Sequence, residues 1–298
     1  MTDNDAYQLD KTQIRRAFDR AANRYDEVAV LQHEIGQRMI ERLELIRIQP
    51  QLIADIGCGT GHTTLKLSQH YTGTRLIALD ISQQMLLKTR RKQSFWQHWR
   101  NPFACISGDA ESLPLATDSV DLIFSNLVIQ WCNNLDSAFK EFQRILKPGG
   151  LLLFSTFGPD TLKELRQCWQ SIDQYNHVNA FIDMHDIGDA LLRAGMSDPV
   201  MDMDMMTLTY KDAKKLMQEL KAIGAHNVSA GRSRGLTGKT QLHQLYKSYE
   251  QFRNTDGRLP ASYEIIYGHA WALDLLPQQQ DTHGEVHIPI NQITQAKP

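Results

Sequence analysis

Residues 55–61 read Asp55-Ile56-Gly57-Cys58-Gly59-Thr60-Gly61, and this glycine-rich stretch decides the fold. The apolar run Leu52–Ile56 leads into it, and a helical stretch near Thr63–Gln69 follows it. Glycines at a strand-to-helix turn let the backbone bend tightly and approach a ligand, and the helix N-terminus favours an anionic group. The spacing is G-x-G-x-G, which differs from the G-x-G-x-x-G of dinucleotide-binding proteins. The stretch therefore predicts a ligand site where a first β-strand ends.

Outward from this turn, short apolar runs alternate with helical stretches. The predicted strands are Leu52–Ile56, Arg75–Leu79, Phe103–Ser107, Val120–Ser125, Leu151–Thr156, Val200–Tyr210 and Tyr263–Leu273. The predicted helices between them lie near Thr63–Gln69, Gln83–Gln97, Asp136–Leu146, Asp160–Ile172 and Asp183–Ala194. Such alternation is typical of βαβ units with right-handed crossovers. We therefore expect an α/β, Rossmann-like fold with a mostly parallel seven-stranded sheet and helices on both faces.

The two ends of the chain and one insertion complete the predicted organisation. Residues 1–48 form N-terminal helices that cover the active site, the second of them from about Val28 to Ile46. The core occupies residues 49–210, a helical insertion or cap residues 211–257, and the last strand residues 258–276. Residues 277–298 are rich in Gln, His and Pro and are predicted to be a disordered tail.

Composition excludes several classes of protein. The 298 residues carry 32 Lys and Arg and 34 Asp and Glu, so no overall charge attracts nucleic acid or anionic membranes. The four cysteines have no C-x-x-C spacing, and the polar N-terminus does not resemble a signal peptide. The histidines are scattered. We expect a cytoplasmic protein with no metal, no nucleic acid and no membrane among its partners.

Acidic residues after the second and third strands extend the predicted ligand site. Asp80 follows Gly61 by nineteen residues, where a carboxylate can accept both hydroxyls of a ribose. With Asp109-Ala110-Glu111 and Leu146-Lys147-Pro148-Gly149-Gly150, the pattern resembles the class I S-adenosylmethionine-dependent methyltransferases. The resemblance implies S-adenosyl-L-methionine as cofactor. The implied cofactor-binding residues are Asp55, Gly57, Gly59, Gly61, Asp80, Ile81, Asp109, Ala110 and Asn126.

Further motifs resemble one family within that class. They include Phe18…Ala21-Ala22…Tyr25-Asp26, Ser125–Trp131, Gly158–Leu162, Phe181–Asp189, Gly235–Lys239 and Gly268-His269-Ala270. In this order they are similar to the malonyl-acyl carrier protein O-methyltransferases of biotin synthesis, over about residues 12–275. The resemblance implies methylation of the free carboxylate of a malonyl group on acyl carrier protein. It also implies that the methyl ester primes the synthesis of pimelate for biotin.

Four residues are candidates for the catalytic, substrate-side part of the site: Tyr25, Gln130, Trp131 and Arg232. A carboxylate is ionised near neutral pH, so the enzyme needs only to align it, and an arginine can hold it. Each candidate also has a structural interpretation. Tyr25 and Trp131 can be core residues, Gln130 can cap a helix, and Arg232 can be a solvated loop residue.

Alternatives remain open at this point. A different small-acid methyltransferase, such as a trans-aconitate type, shares the Gln130-Trp131 region. The second alternative is a complex I assembly factor of the same fold, which hydroxylates an arginine or only binds partners. The segment Leu216–Leu220 resembles those proteins. For docking of an acidic carrier protein, the sequence offers two basic surfaces. One contains Lys211, Lys214 and Lys221, and the other lies near Arg90 and Arg91.

Overall fold

Seven strands form the centre of the protein in a computed structural model that describes residues 8–93, 103–225, 227 and 238–273. The strands are β1 (Leu52–Ile56), β2 (Arg75–Asp80), β3 (Ala104–Ser107), β4 (Val120–Asn126), β5 (Leu146–Phe157), β6 (Met196–Tyr210) and β7 (Leu259–Ala272). Their order across the sheet is β3-β2-β1-β4-β5-β7-β6. The predicted Rossmann-like α/β architecture with seven strands is confirmed.

The sheet is mostly parallel, as expected, but one strand runs against the others. β1 to β5 pair in parallel with their neighbours, whereas β7 is antiparallel to both β5 and β6. The sheet is therefore mixed. Apolar periodicity shows which face of a strand is buried. A parallel and an antiparallel strand have the same periodicity, so the pattern does not predict the direction of a strand. The direction of β7 depends on how the insertion between β6 and β7 returns the chain to the sheet.

Helices cover both faces of this sheet. They are α1 (Lys11–Ala21), α2 (Tyr25–Val28), α3 (Val30–Leu43), α4 (His62–His70), α5 (Gln83–Lys92), α6 (Leu135–Ile145), α7 (Lys163–Gln170), α8 (Met184–Arg193), α9 (Ala213–Ala222) and α10 (Lys239–Tyr249). On one face, α6 and α8 pack with apolar side chains of the sheet. On the other, α3, α4, α7, α9 and α10 do so. None of the described helices is long and apolar enough to cross a membrane.

Two predicted helices have different boundaries in the structure. The helix expected from Val28 to Ile46 is interrupted at Ala29 (φ −80°, ψ 39°), which separates α2 from α3. The helix expected from Asp160 starts only after Leu162, whose φ is 55°. The peptide N–H of Leu162 donates to the carbonyl of Ser262 in β7. Pairing with a distant strand therefore overrides the local helical pattern.

The insertion packs onto the core instead of standing apart from it. Tyr249 at the end of α10 is fully buried, and its hydroxyl donates to the Pro260 carbonyl at 3.0 Å. Ala213 and Leu216 of α9 are also buried. Of residues 1–48, the part described forms α1 to α3. The tail predicted at residues 277–298 lies outside the described residues.

Gly268→Ala should destabilise the protein, because Gly268 of β7 lies between its paired neighbours Phe154 of β5 and Met201 of β6, whose side chains fill the space of a Cβ. A Cβ there would lie 2.3 Å from Phe154 Cζ and 2.8 Å from Met201 Sδ. Overpacking of this kind costs about 1–3 kcal/mol of unfolding free energy. Gly188→Ala in α8 is the matched control, since its Cβ would meet nothing within 4 Å. This control should gain roughly 0.5–1 kcal/mol.

Urea titration of both variants measures the two changes in the same assay. Equal stability of Gly268→Ala and the wild type would contradict the close packing of β7 on β5.

Candidate active site

A cleft opens at the carboxyl ends of β1, β2 and β4, which in an open α/β sheet is the usual place for a ligand. The space inside the cleft and its open mouth amounts to about 670 Å³. The lining residues from the N-terminal helices are Lys11, Ile14, Phe18 and Tyr25. Those from the strand ends include Gly57, Gly59, Asp80, Ile81, Asp109, Ala110, Asn126, Val128 and Trp131.

The glycine loop that follows β1 forms the floor of this cleft. Gly57 has a φ of 74°, and a Cβ on it would lie 2.1 Å from Val128 Cγ2. Gly61 has a φ of 78°, and a Cβ on it would lie 2.6 Å from Thr89 Cγ2. Only glycine satisfies both the backbone angle and the contact at each position. Gly57 and Gly59 face the cleft, whereas Gly61 packs against α5 and is not in its lining.

Two buried carboxyl groups flank the loop in different roles. Asp80 at the end of β2 lines the cleft, and it accepts hydrogen bonds from the Gly59 and Ser82 peptide N–H groups at 2.9 and 2.8 Å. Asp55 lies below the loop and accepts from Thr64 Oγ1 at 2.5 Å, away from the cleft. Burial raises the pKa of Asp80 to about 6 and that of Asp55 to about 7.

At the opposite end of the cleft, Asp109 and Ala110 follow β3. Asp109 Oδ1 accepts a hydrogen bond from Lys11 Nζ at 2.9 Å, and Lys11 also pairs with Glu111. The lysine brings the start of α1 over this end of the cleft. Lys11 was not among the residues predicted from sequence. Its spacing from Ile14 and Phe18, at i, i+3 and i+7, was the available signal.

Two aromatic side chains, Tyr25 and Trp131, line the cleft. The ring of Trp131 contacts Phe18 edge-on, with 5.4 Å between centroids. Tyr25 stands over the loop, because a Cβ on Gly59 would lie 4.0 Å from its Cε1. Burial, together with the charges of Asp80 and Asp26, raises the pKa of the Tyr25 phenol well above its ordinary value. The phenol is therefore neutral and able to donate a hydrogen bond at physiological pH.

The remaining predicted residues are placed differently. Asn126 lines the cleft; its Nδ2 donates to the Gln32 carbonyl at 3.0 Å. Gln130 is not in the lining, and its Nε2 donates to the Leu127 carbonyl at 2.8 Å. The Gln130 side chain thus braces the turn after β4. Arg232 lies outside the described residues.

A second anchor of the N-terminal helices was also missed by sequence reasoning. Asp26 accepts hydrogen bonds from Thr60 Oγ1 at 2.5 Å and Lys92 Nζ at 2.7 Å. Although burial acts in the other direction, the His33 ring at 3.7 Å and the bonds from Lys92 and Thr60 hold the pKa of Asp26 below its ordinary value. The ionised carboxylate ties α2 to the glycine loop. Within the described part of the chain, no cluster of His, Cys, Asp and Glu is arranged to hold a metal ion.

Asp80→Asn should change how stability depends on pH. Because the pKa of Asp80 is raised to about 6, the folded protein retains a proton that the unfolded chain has released above about pH 4. Its contribution to stability is present at low pH and is lost as pH rises through 6. We therefore expect the unfolding free energy of the variant, relative to wild type, to rise between about pH 4.5 and 7.5.

Urea titrations across this pH range provide the measurement. Asp121→Asn is the control, since Lys147 and two peptide N–H groups lower the pKa of Asp121 despite its partial burial. The relative stability of this control should not rise with pH. If the unfolding free energies of Asp80→Asn and wild type changed in parallel with pH, ionisation of Asp80 would not lower the stability of the folded protein.

Residues 54–154 match a family profile described as a methyltransferase domain. Solved structures with this fold include the YcgJ protein of Bacillus subtilis (TM-score 0.56, 16% identity, covering 80% of this chain and 98% of that one). A putative methyltransferase of Bacillus halodurans is similar (TM-score 0.57, 14% identity, covering 80% and 99%). At these identities the likeness shows the fold alone.

Curated relatives are much more similar in sequence. A malonyl-[acyl-carrier protein] O-methyltransferase of Methylovorus sp. is 54% identical over 271 residues, covering 90% of each chain. A protein of the same name from Gallionella capsiferriformans is 50% identical over 267 residues, covering 88% of this chain and 91% of that one. The chain therefore belongs to the malonyl-[acyl-carrier protein] O-methyltransferase family, within the class I S-adenosylmethionine-dependent methyltransferases.

Proposed function

We propose that this chain methylates the free carboxylate of a malonyl group carried by an acyl carrier protein, with S-adenosyl-L-methionine as methyl donor. The product is a malonyl methyl ester, which serves as the primer for pimelate and biotin synthesis. One structural observation supports this proposal above others. One cleft is lined both by the glycine loop with Asp80 and Asp109, which suit a nucleoside, and by side chains of α1 and α2.

The cleft has the chemistry that the cofactor requires. Asp80 is buried, faces the cleft and forms no ion pair with a described residue, which suits the two hydroxyls of a ribose. Asp109 and Ala110 would meet the adenine, and the Gly57–Gly59 backbone the methionine moiety. Asp55 would support the cofactor site indirectly, because it lies beneath the glycine loop and accepts a hydrogen bond from Thr64 at the start of α4. When bound, S-adenosyl-L-methionine supplies an electrophilic methyl group on a sulfonium.

The side chains around the cleft fit a nucleophile that arrives already ionised. Tyr25 keeps its proton, burial raises the pKa of Cys132 to about 12, and Lys11 is a cation held by two carboxylates. None of these groups is a base at neutral pH. A malonyl carboxylate has lost its proton well below pH 7, so it requires alignment and exclusion of water rather than a base.

The proposed roles of the four substrate-side residues differ with their positions. Tyr25 would donate a hydrogen bond from its hydroxyl group to the malonyl carboxylate, and Trp131 would form an apolar wall with Phe18. Gln130 would act indirectly, by fixing the turn that carries Leu127 and Trp131. Arg232 is proposed from sequence as the cation that holds the carboxylate. The trans-aconitate and complex I alternatives have no specific support from the cleft.

Product analysis tests the function directly. The wild-type enzyme is incubated with S-adenosyl-L-methionine and malonyl-carrier protein, and the carrier is analysed by mass spectrometry. We expect one added methyl group on the malonyl moiety and none on acetyl-carrier protein, which lacks the free carboxylate. Methylation of the protein part of the carrier, or none at all, would refute the proposal.

The pH dependence of the chemical step tests the base-free mechanism. Since no described group in the cleft titrates there, the single-turnover rate constant at saturation should vary less than about twofold between roughly pH 7 and 9. Below pH 7, protonation of Asp80 should weaken cofactor binding instead. A rate constant that rises steadily across the plateau range would indicate a general base.

Tyr25→Phe removes the proposed hydrogen-bond donor and retains the ring over Gly59. Loss of one bond to a charged group should lower kcat for malonyl-carrier protein by about tenfold or more. Cofactor affinity, measured by calorimetry, should change little. Tyr71→Phe is the control, because Tyr71 lies at the end of α4 outside the cleft. Unchanged kcat in Tyr25→Phe would assign Tyr25 to packing alone.

A further inference from the structure

Positive charge is concentrated on two neighbouring helices beside the cleft. Over the whole chain, 32 Lys and Arg are balanced by 34 Asp and Glu. In α1 and α5, however, eight cations accompany one carboxylate, Asp19. The cations are Lys11, Arg15, Arg16, Arg20, Lys88, Arg90, Arg91 and Lys92. Such segregation on a protein of net charge −2 requires a physical explanation.

The two helices form one surface. Ala21 and Ala22 of α1 pack with Met85 of α5. Asp19 Oδ1 accepts hydrogen bonds from Ser82 Oγ at 2.7 Å and from the Gln84 peptide N–H at 3.2 Å. The only carboxylate of the pair is thereby used to join α1 to the start of α5.

Most of these cations face solvent. Lys11 and Lys92 are exceptions, since Lys11 pairs with Asp109 and Lys92 with Asp26. Arg15, Arg16, Arg20 and Arg91 are exposed and Lys88 is half-buried, and none of them has an ion pair with a described residue. Lys88 follows Met85, which packs against the end of α1, at i+3, and Arg91 follows Lys88 at i+3, so the two cations form a row beside the contact with α1. We name these five residues the basic face.

The basic face lies on the reverse side of the cleft wall. Ile14 and Phe18 on the inner side of α1 line the cleft, while Arg16 and Arg20 occupy the outer side and the exposed Arg15 lies between the two. A helix is only about 10 Å thick. A partner on the outer side therefore stands close to the mouth, from which a substrate on a flexible arm can enter.

We propose that the basic face is the docking surface for the acidic carrier protein, an inference that rests on the proposed function. Acidic side chains of the carrier complement it in charge. Nucleic acid fits less well, because the basic face has no exposed aromatic side chain on which bases could stack. An anionic membrane also fits less well, since Leu87 is the only large apolar side chain exposed on α1 and α5.

The lysines of α9, the other basic surface considered from sequence, are less suitable. Asp212 caps this helix, and Lys215 pairs with Glu219 at 3.5 Å. Three lysines in α9 are thus accompanied by two nearby carboxylates, and the local field is weaker. Lys214 and Lys221 are nevertheless exposed, so they provide a control of equal charge.

Matched charge reversals test the proposal. In Arg16→Glu/Arg91→Glu, kcat/KM for malonyl-carrier protein at low salt should fall at least about tenfold, and its decrease with added salt should flatten. Lys214→Glu/Lys221→Glu, with the same change in net charge, should have a much smaller effect. Turnover of malonyl-pantetheine, which lacks the protein part, and cofactor affinity should be unchanged in both variants.

Direct binding separates a failure of docking from a failure of the proposed function. The affinity of labelled carrier protein for each variant is measured by fluorescence anisotropy, with a DNA duplex and anionic vesicles as competing probes. Loss of carrier binding in Arg16→Glu/Arg91→Glu alone supports the basic face whatever the enzyme methylates. Equal losses in both variants, no carrier binding by the wild type, or a loss restricted to DNA or vesicles would overturn it.

Discussion

The hydrogen bond from the Gly59 peptide N–H to the Asp80 carboxylate fixes the geometry on which the site depends. It joins the turn after β1 to the end of β2, while the N–H groups of Gly57 and Cys58 donate to the Leu79 carbonyl. The backbone can follow this path only with positive φ at the glycines. The floor of the cleft, the approach of Val128 to the loop and the start of α4 all follow from this arrangement.

This geometry has an electrostatic cost. Asp80 and Asp55 are both nearly fully buried, and their hydrogen-bond partners are peptide N–H groups and a threonine hydroxyl rather than cations. The raised pKa of each carboxyl reflects that cost. A ligand that offers hydroxyl donors to Asp80 would recover part of it. The site is therefore prepared for a ligand at the expense of the stability of the free protein.

The N-terminal segment lies over the cleft and makes polar contacts with the ends of the first four strands. Asp26 contacts Thr60 after β1, Asp19 contacts Ser82 after β2, and Lys11 contacts Asp109 after β3. The Gln32 carbonyl accepts from Asn126 at the end of β4. Ligands must pass between this segment and the strand ends. The same helices carry Tyr25 inward and the basic face outward, so they combine closure, proposed catalysis and proposed docking.

The sequence by itself determined the order of the elements, the glycine loop and the acidic residues at the strand ends, because each has a local pattern. Apolar periodicity located β1 to β5, and positive-φ glycines left a recognisable spacing at residues 57–61. Only the tertiary structure decided the antiparallel direction of β7, the break at Ala29 and the late start of α7. Only it paired Lys11 with Asp109 and turned the Gln130 amide away from the cleft. These features arise from contacts between residues far apart in the chain, and a local pattern carries no record of such contacts.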